Sequence, residues 1–280
     1  MIQGISSLFA IAANSVADET RSSALPYAIS CAAAAGAHLT AHSVAIRLVL
    51  PSAAGSGTIS GLVAAENERL ARRANERSIA LRADAEAAGV ACTAGSHLAS
   101  FGDVMEDVVR QSRVHDLTVI DASGDVLETS RSLAESALFE GGRPVLVVPL
   151  GCETFRCRRV IVAWDGSAMA SRAVASALPL LRAADEVEVL SIAGEKDLSG
   201  IVPGADLARH LAHHGVHVSL KDLNTAGRTV GDILRDQASI LDADLVVMGA
   251  FKRSRLRQWV LGGVTSSMLA ETSTPLLMSH

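Results

Sequence analysis

Aromatic residues are scarce in this chain: five Phe, two Trp and one Tyr among 280 residues, or 3 %. Hydrophobic residues nevertheless make up 49 %, so the interior has to be built from Ala, Val, Leu and Ile. Such side chains suit helices packed closely on a parallel sheet, and the expected class is α/β. Cysteine is scarce as well. Cys31, Cys92, Cys152 and Cys157 show no CxxC spacing and no neighbouring histidines at ligand spacing, so neither a disulfide framework nor a zinc site is indicated and reduced thiols are expected. Residues 1 to 17 lack a basic n-region, and the low-charge stretch Ala24 to Val44 is broken by Pro26, His38 and His42. Neither a signal peptide nor a membrane span is expected, which points to the cytoplasm. An excess of positive charge is also missing. A net charge of −5 and a pI near 6.0 argue against nucleic acid or an anionic membrane as partner, because both require a basic surface.

Catalytic patterns are absent too. Ser7, Ser15, Ser123 and Ser167 sit in no GxSxG elbow and have no identifiable histidine and acid partners. His210 and His214 are four apart and could share a helix face, with His213 between them and His217 beyond. No HExxH pattern accompanies them, and solvated histidines are the reading adopted. The segment Glu66 to Arg82, with Glu68, Arg69, Arg72, Arg73, Glu76 and Arg77, reads as an exposed helix face with ion pairs at helical spacing. No catalytic residue and no metal ligand is assigned, and the chain reads as a binder rather than an enzyme.

What the sequence does contain is an internal repeat. Phe101-Gly-Asp-Val-Met-Glu-Asp leads through helical spacing to His115-Asp-Leu-Thr-Val-Ile-Asp121. Later, Val230-Gly-Asp-Ile-Leu-Arg-Asp leads likewise to Ala243-Asp-Leu-Val-Val-Met-Gly249. A proline-led aliphatic run follows each, Pro144 to Val148 and Pro275 to Met278. The chain reads as a tandem duplication with domains at 1–150 and 158–280, at about the commonest domain size. In the first half, strands are expected at Leu8–Ala13, His38–Val44, Val90–Ala94 and Leu117–Asp121. Helices are expected at Glu19–Ala35, at about Leu62–Ala88 (stopped by Gly89) and after Gly102. In the second half, strands are expected at Val160–Trp164, Glu188–Ala193, His217–Asp222, Leu245–Gly249 and Pro275–Met278. Alternation of this kind forces parallel pairing through right-handed crossovers, giving two five-stranded Rossmann-like sheets. Duplicated domains commonly keep an ancestral two-fold contact, so the two sheets are expected to pack as an intramolecular pseudo-dimer along their final strands, Val145–Val148 and Leu276–Met278. A homodimer of the whole chain is compatible with this.

The chemistry is concentrated in Met248 to Leu269. A buried strand ends at Gly249, and a loop carrying Lys252, Arg253, Arg255 and Arg257 with no acid among them follows. Gly262-Gly263-Val264-Thr265 then opens a helix. Glycines admit an anion close to the backbone, and the unpaired N–H groups of a helix start point at it. This spacing resembles the nucleotide loop of the universal stress protein family: Gly, two residues, Gly, nine residues, Gly, then Ser or Thr. Gly249, Gly262 and Thr265 fit; Lys252 and Gly263 replace two of the usual residues.

The resemblance implies a Rossmann-like domain repeated twice, action under stress in the cytoplasm and, in some members, binding of ATP with little hydrolysis. Ligands of open parallel sheets sit at the carboxyl ends of the strands. The expected adenine-nucleotide site, with Mg²⁺ accompanying the nucleotide, therefore comprises Trp164, Asp165, Ile192, Ala193, Gly249, Lys252, Gly262, Gly263, Val264 and Thr265. Asp165 has two readings, a contact to the nucleoside or ordinary Asp-Gly-Ser capping before a helix. The first half ends its equivalent strand in Asp121 and adds Asp125 and Glu128, a carboxylate group read as solvated and hostile to a triphosphate. One nucleotide per chain is expected. The alternatives are an interaction protein with a decayed loop and a weak ATPase.

Overall fold

The computed structural model describes residues 2–14, 22–49, 57–122, 129–193, 204–255 and 258–280. The first half runs β1 (Ser7–Asn14), α1 (Ala24–Ala35), β2 (His38–Ile46), α2 (Gly57–Ala87), β3 (Cys92–Ala99), α3 (Phe101–Val114), β4 (Leu117–Asp121), α4 (Thr129–Glu140), β5 (Val145–Val148). The second half runs β6 (Arg159–Ala163), α5 (Ala168–Leu181), β7 (Glu186–Ala193), α6 (Ala205–His213), β8 (Val218–Asn224), α7 (Val230–Leu241), β9 (Leu245–Gly249). It closes with β10 (Lys252–Arg255), β11 (Gln258–Leu261), α8 (Gly263–Glu271) and β12 (Leu276–Ser279).

The fold is α/β with five parallel main strands in each half, as the pattern of buried runs and helical spacings predicts. The expectation of two separate sheets is overturned. A single ten-stranded sheet runs β3-β2-β1-β4-β5-β12-β9-β6-β7-β8, parallel within each half and antiparallel only where β5 meets β12. The order is the same read inward from either end, as a two-fold relation between halves requires. The final strands do meet, but through backbone pairing: Leu276 opposite Val147, Leu277 opposite Leu146 and Met278 opposite Val145. Edge N–H and C=O groups have to be satisfied, and two short, fully buried aliphatic strands satisfy them best by continuing the ladder. Pro144 and Pro275 precede the paired residues, so their missing N–H groups cost the junction nothing, and their carbonyls accept from Thr118 and Val246.

Apolar residues cover both faces of the sheet. One face packs α1 and α5, with Leu8, Tyr27, Val160 and Leu180 fully buried. The other packs α3, α4, α7 and α8 around Phe9, Ile120, Val246 and Met268. The duplication is visible residue by residue. Asp116 accepts from the N–H groups of Ser6 and Ser7 at 2.9 and 3.0 Å, and Asp244 accepts from those of Arg158 and Arg159 at 2.8 and 3.0 Å. Each aspartate thus ties the start of strand four to the start of strand one in its half. The repeated Gly-Asp is a helix start: Ser100 caps α3 with Asp103, and Thr229 caps α7 with Asp232.

The segment joining the halves is strapped to α1. Gly151 N donates to Ser23 Oγ at 2.8 Å, Phe155 N donates to Ser30 Oγ at 3.2 Å, and the Phe155 ring meets Tyr27 edge-on at 5.6 Å. Some boundaries shift. Helix α1 is described from Ala24, and the Glu19–Arg21 start expected for it falls outside the described residues. Strand β3 continues to Ala99 because its whole length pairs with β2. The stretch after Gly249, read as a loop, holds the antiparallel hairpin β10–β11. No described helix is long and apolar enough to cross a membrane.

Candidate functional site

In the second half the strand order reverses between β6 and β9: β7 and β8 lie to one side of β6, and β9 and β12 to the other. That reversal opens the crevice in which such sheets take ligands. Strand β6 pairs with both β7 and β9, with Ala163 opposite Leu190 and Met248, so the three carboxyl ends stand side by side. The segments chosen from the sequence are therefore adjacent, although their side chains divide between the two faces. Trp164 packs toward the face covered by α5, whereas Ile192 and Val264 pack toward that of α7 and α8. Trp164 N donates to Leu190 O at 2.9 Å, and Ala193 pairs with Asn224 at the end of β8.

Gly249 is needed for close approach. A Cβ there would lie 2.5 Å from Ala170 N and 2.6 Å from Met169 C, so only glycine lets α5 sit on the end of β9. That contact holds the 164–167 turn over the crevice. Asp165 is exposed, and its Oδ1 accepts from Ser167 N at 2.9 Å, while Ser167 Oγ accepts from Ala170 N at 3.1 Å and caps α5. Asp165 thus performs the capping-turn role.

Helix α8 starts on the other side of the crevice. Its N-cap is Gly262, which has no side chain to satisfy the first N–H groups, and its first turn carries no acid. Gly262 is buried against Phe251 and donates its N–H to Phe251 O at 2.9 Å. Gly263 is exposed, and nothing lies within 4 Å of where its Cβ would be. Thr265 is 1 % exposed, and its Oγ1 accepts from Phe251 N at 3.1 Å, which pins the chain leaving β9 to the helix. The side chains of Lys252, Arg253, Arg255 and Arg257 lie outside the described residues. A different cation is present: Arg131, on α4 of the first half, donates to Ser266 Oγ at 2.9 Å, one turn into α8. Only the fold shows this residue, because the partners are 135 positions apart.

The first half differs at the equivalent place. Asp121 occupies the end of β4 as Gly249 occupies the end of β9, but it is 9 % exposed rather than solvated. Its Oδ1 accepts from Ser23 N and Ala24 N, both at 2.8 Å, and its Oδ2 accepts from Ser22 Oγ at 2.6 Å. Here the chain supplies its own anion to a helix start. Asp125 and Glu128 lie outside the described residues. All four cysteines are free thiols. Among the described residues, no group of three or more His, Cys, Asp or Glu converges as a metal centre would. His210, His213 and His217 are exposed, and His214 is half-buried on Arg182, whose guanidinium donates to its Nδ1 at 2.8 Å.

Residues 156–280 match the sequence model of the universal stress protein family. That half of the chain is a universal stress protein domain. A universal stress protein from Archaeoglobus fulgidus DSM 4304 superposes with a TM-score of 0.68 at 15 % identity, covering 97 % of each chain. A functionally unknown protein from Pseudomonas aeruginosa PAO1 superposes with a TM-score of 0.54 at 15 % identity, covering 99 % of this chain and 93 % of that one. At such identity these likenesses concern the fold. They show the same fold over the first half, which the family's sequence model does not reach. No curated protein matches the sequence.

Proposed function

We propose that the chain acts as a universal stress protein that binds one adenine nucleotide in its second half, in the cytoplasm, as a regulatory or protective factor without efficient catalysis. The observation that carries the reading is the start of α8. Its N–H groups, uncapped at Gly262, stand at the carboxyl end of β9 beside the switch point, within the half that matches the family. The phosphates, with Mg²⁺ accompanying them, would lie on Gly262, Gly263, Val264 and Thr265 next to Gly249 and Lys252. The nucleoside would lie near Trp164, Asp165, Ile192 and Ala193. In the first half, Asp121 stands where Gly249 stands in the second, and its carboxylate lies at the end of β4 against the start of α1, the counterpart of α5.

Calorimetric titration of the whole chain with ATP and ADP, with and without Mg²⁺, tests this. Expected is one site per chain that weakens when Gly262 is replaced by a bulky residue. Lys252→Gly should tighten binding if the lysine crowds the loop and weaken it if the ammonium meets phosphate. A stoichiometry of two, or affinity unmoved by both substitutions in a folded protein, would show the ligand to be misplaced. A second reading, an interaction protein with a decayed loop, is favoured by the internal engagements of Asp165 and Thr265. It predicts no heat with either nucleotide.

A further inference from the structure

A group of side chains in the first half, remote from the second-half crevice, has no part in the reading above. His42 on β2 and His97 on β3 are diagonal neighbours on one face of the sheet, since His42 stands opposite Gly95 and Val44 opposite His97. Their ring centroids are 5.0 Å apart at 80°. A Cβ on Gly95 would lie 3.4 Å from His97 Nε2 and 3.5 Å from His42 Cδ2. His97 Nε2 and the Cδ2 side of the His42 ring therefore border one small space, which glycine leaves open. Behind His42, Nδ1 lies 2.7 Å from Asp107 Oδ2 on α3. A carboxylate can only accept, so it fixes the proton on Nδ1 and leaves the Nε2 lone pair directed away. Burial alone would raise the Asp107 carboxyl, but the bonds from His42 and Arg110 outweigh it and hold it below the usual range. Neither Nε2 has a hydrogen-bond partner among the described residues, and the His97 ring is exposed.

We propose that His42 and His97 form a two-histidine site for a borderline divalent cation such as Zn²⁺, Ni²⁺ or Cu²⁺, with solvent completing the coordination. The donor set is two imidazole nitrogens, which suits these ions over Mg²⁺ or Ca²⁺. The carboxylate behind His42 is the partner that metal-bound histidines ordinarily have, orienting the ring and raising its basicity. The other histidine pair makes a useful contrast. His210 and His214 are 4.7 Å apart, yet the Arg182 guanidinium donates to His214, which occupies a ring nitrogen and sets a positive charge beside it. That pair has the proximity without the electrostatics.

The test is competition between the full-length chain and a chromogenic chelator for Zn²⁺. One equivalent is expected to bind. His97→Ala, at an exposed position, should remove it without changing the thermal melt. Asp107→Asn should weaken it about 10- to 100-fold, the usual effect of losing such a support, and His210→Ala should leave it intact. Electron paramagnetic resonance of the Cu²⁺-loaded chain should show nitrogen ligation that is reduced in His97→Ala. Absence of binding in the unmodified chain, unchanged affinity in His97→Ala, or loss of the equivalent in His210→Ala would each overturn the site.

Discussion

Gly249 and Gly263 are both glycines of the loop pattern, and the structure demands opposite things of them. At Gly249 an added methyl meets the α5 backbone at 2.5 Å, and a backbone atom cannot swing aside. Gly249→Ala should therefore cost about 1–3 kcal/mol, the range for overpacking, read as a lower urea midpoint. A midpoint within error of the unmodified chain would mean that α5 floats on β9 instead of resting on it. Gly263 is the converse, exposed, with nothing near and with no positive φ to favour glycine. Gly263→Ser puts a hydroxyl back at the family's Ser/Thr position and replaces a residue that weakens helices by a few tenths of a kcal/mol relative to Ser. The expected result is unchanged or slightly raised stability together with severalfold tighter nucleotide binding by calorimetry. Tighter folding with identical affinity would place the phosphates away from the start of α8.

At the scale of elements, α1 is anchored both at its start and along its outer side. Its start is capped from β4 by Asp121, and its outer side is strapped by the joining segment, with Cys31, Cys157, Tyr27 and Phe155 in one apolar cluster. Burial pushes the Cys31 and Cys157 thiols up to about 12. Below pH 9 both are protonated whether the chain is folded or not, and they contribute no pH dependence. Above it, the unfolded chain sheds their protons while the folded chain keeps them, so stability falls as pH rises toward 12, by at most about 1.4 kcal/mol per pH unit per thiol. Urea midpoints should decline between pH 9 and 11, and Cys31→Ala should shallow that decline; equal slopes would show that α1 loosens before its thiols titrate. Much of this architecture was legible from the sequence. Runs such as Leu117–Asp121 and Leu245–Gly249 are apolar because both their faces are covered, and that leaves a readable pattern. The β10–β11 hairpin was not legible, since Lys-Arg-Ser-Arg has neither alternation nor apolar content. Nor was the role of Asp121, whose partners lie 97 to 99 residues away. Arg131 beside Ser266 and the His42–His97 pair were hidden for the same reason: their meaning comes from register and from the two-fold, which no local spacing encodes.

Across the whole molecule, the junction between β5 and β12 decides what the two halves are to each other. The halves share one ladder, so each is the edge protection of the other. Leu276, Leu277 and Met278 are at most 1 % exposed, and Arg131 adds a bond from α4 to α8 beside that ladder. Removing the first half would leave β12 as a short, aliphatic, unpaired edge, together with the apolar surface of α8 that flanks it, and such an edge seeks another strand. The strand it fits best is a second copy of itself. β12 and β5 already pair antiparallel, and an antiparallel contact between identical strands closes with two-fold symmetry. A chain restricted to residues 156–280 should therefore be a dimer by light scattering, at concentrations where the full chain shows the mass of its own assembly unit. Leu277→Lys, which places a charge in that new interface, should convert it to monomer or prevent it from folding. Leu277→Asp in the full chain should cost far more stability than a charge at exposed Leu220 on the outer strand β8. A soluble, folded and monomeric 156–280 fragment would contradict the argument directly, because it would show that β12 tolerates solvent and that the continuity of the sheet is not what joins the halves.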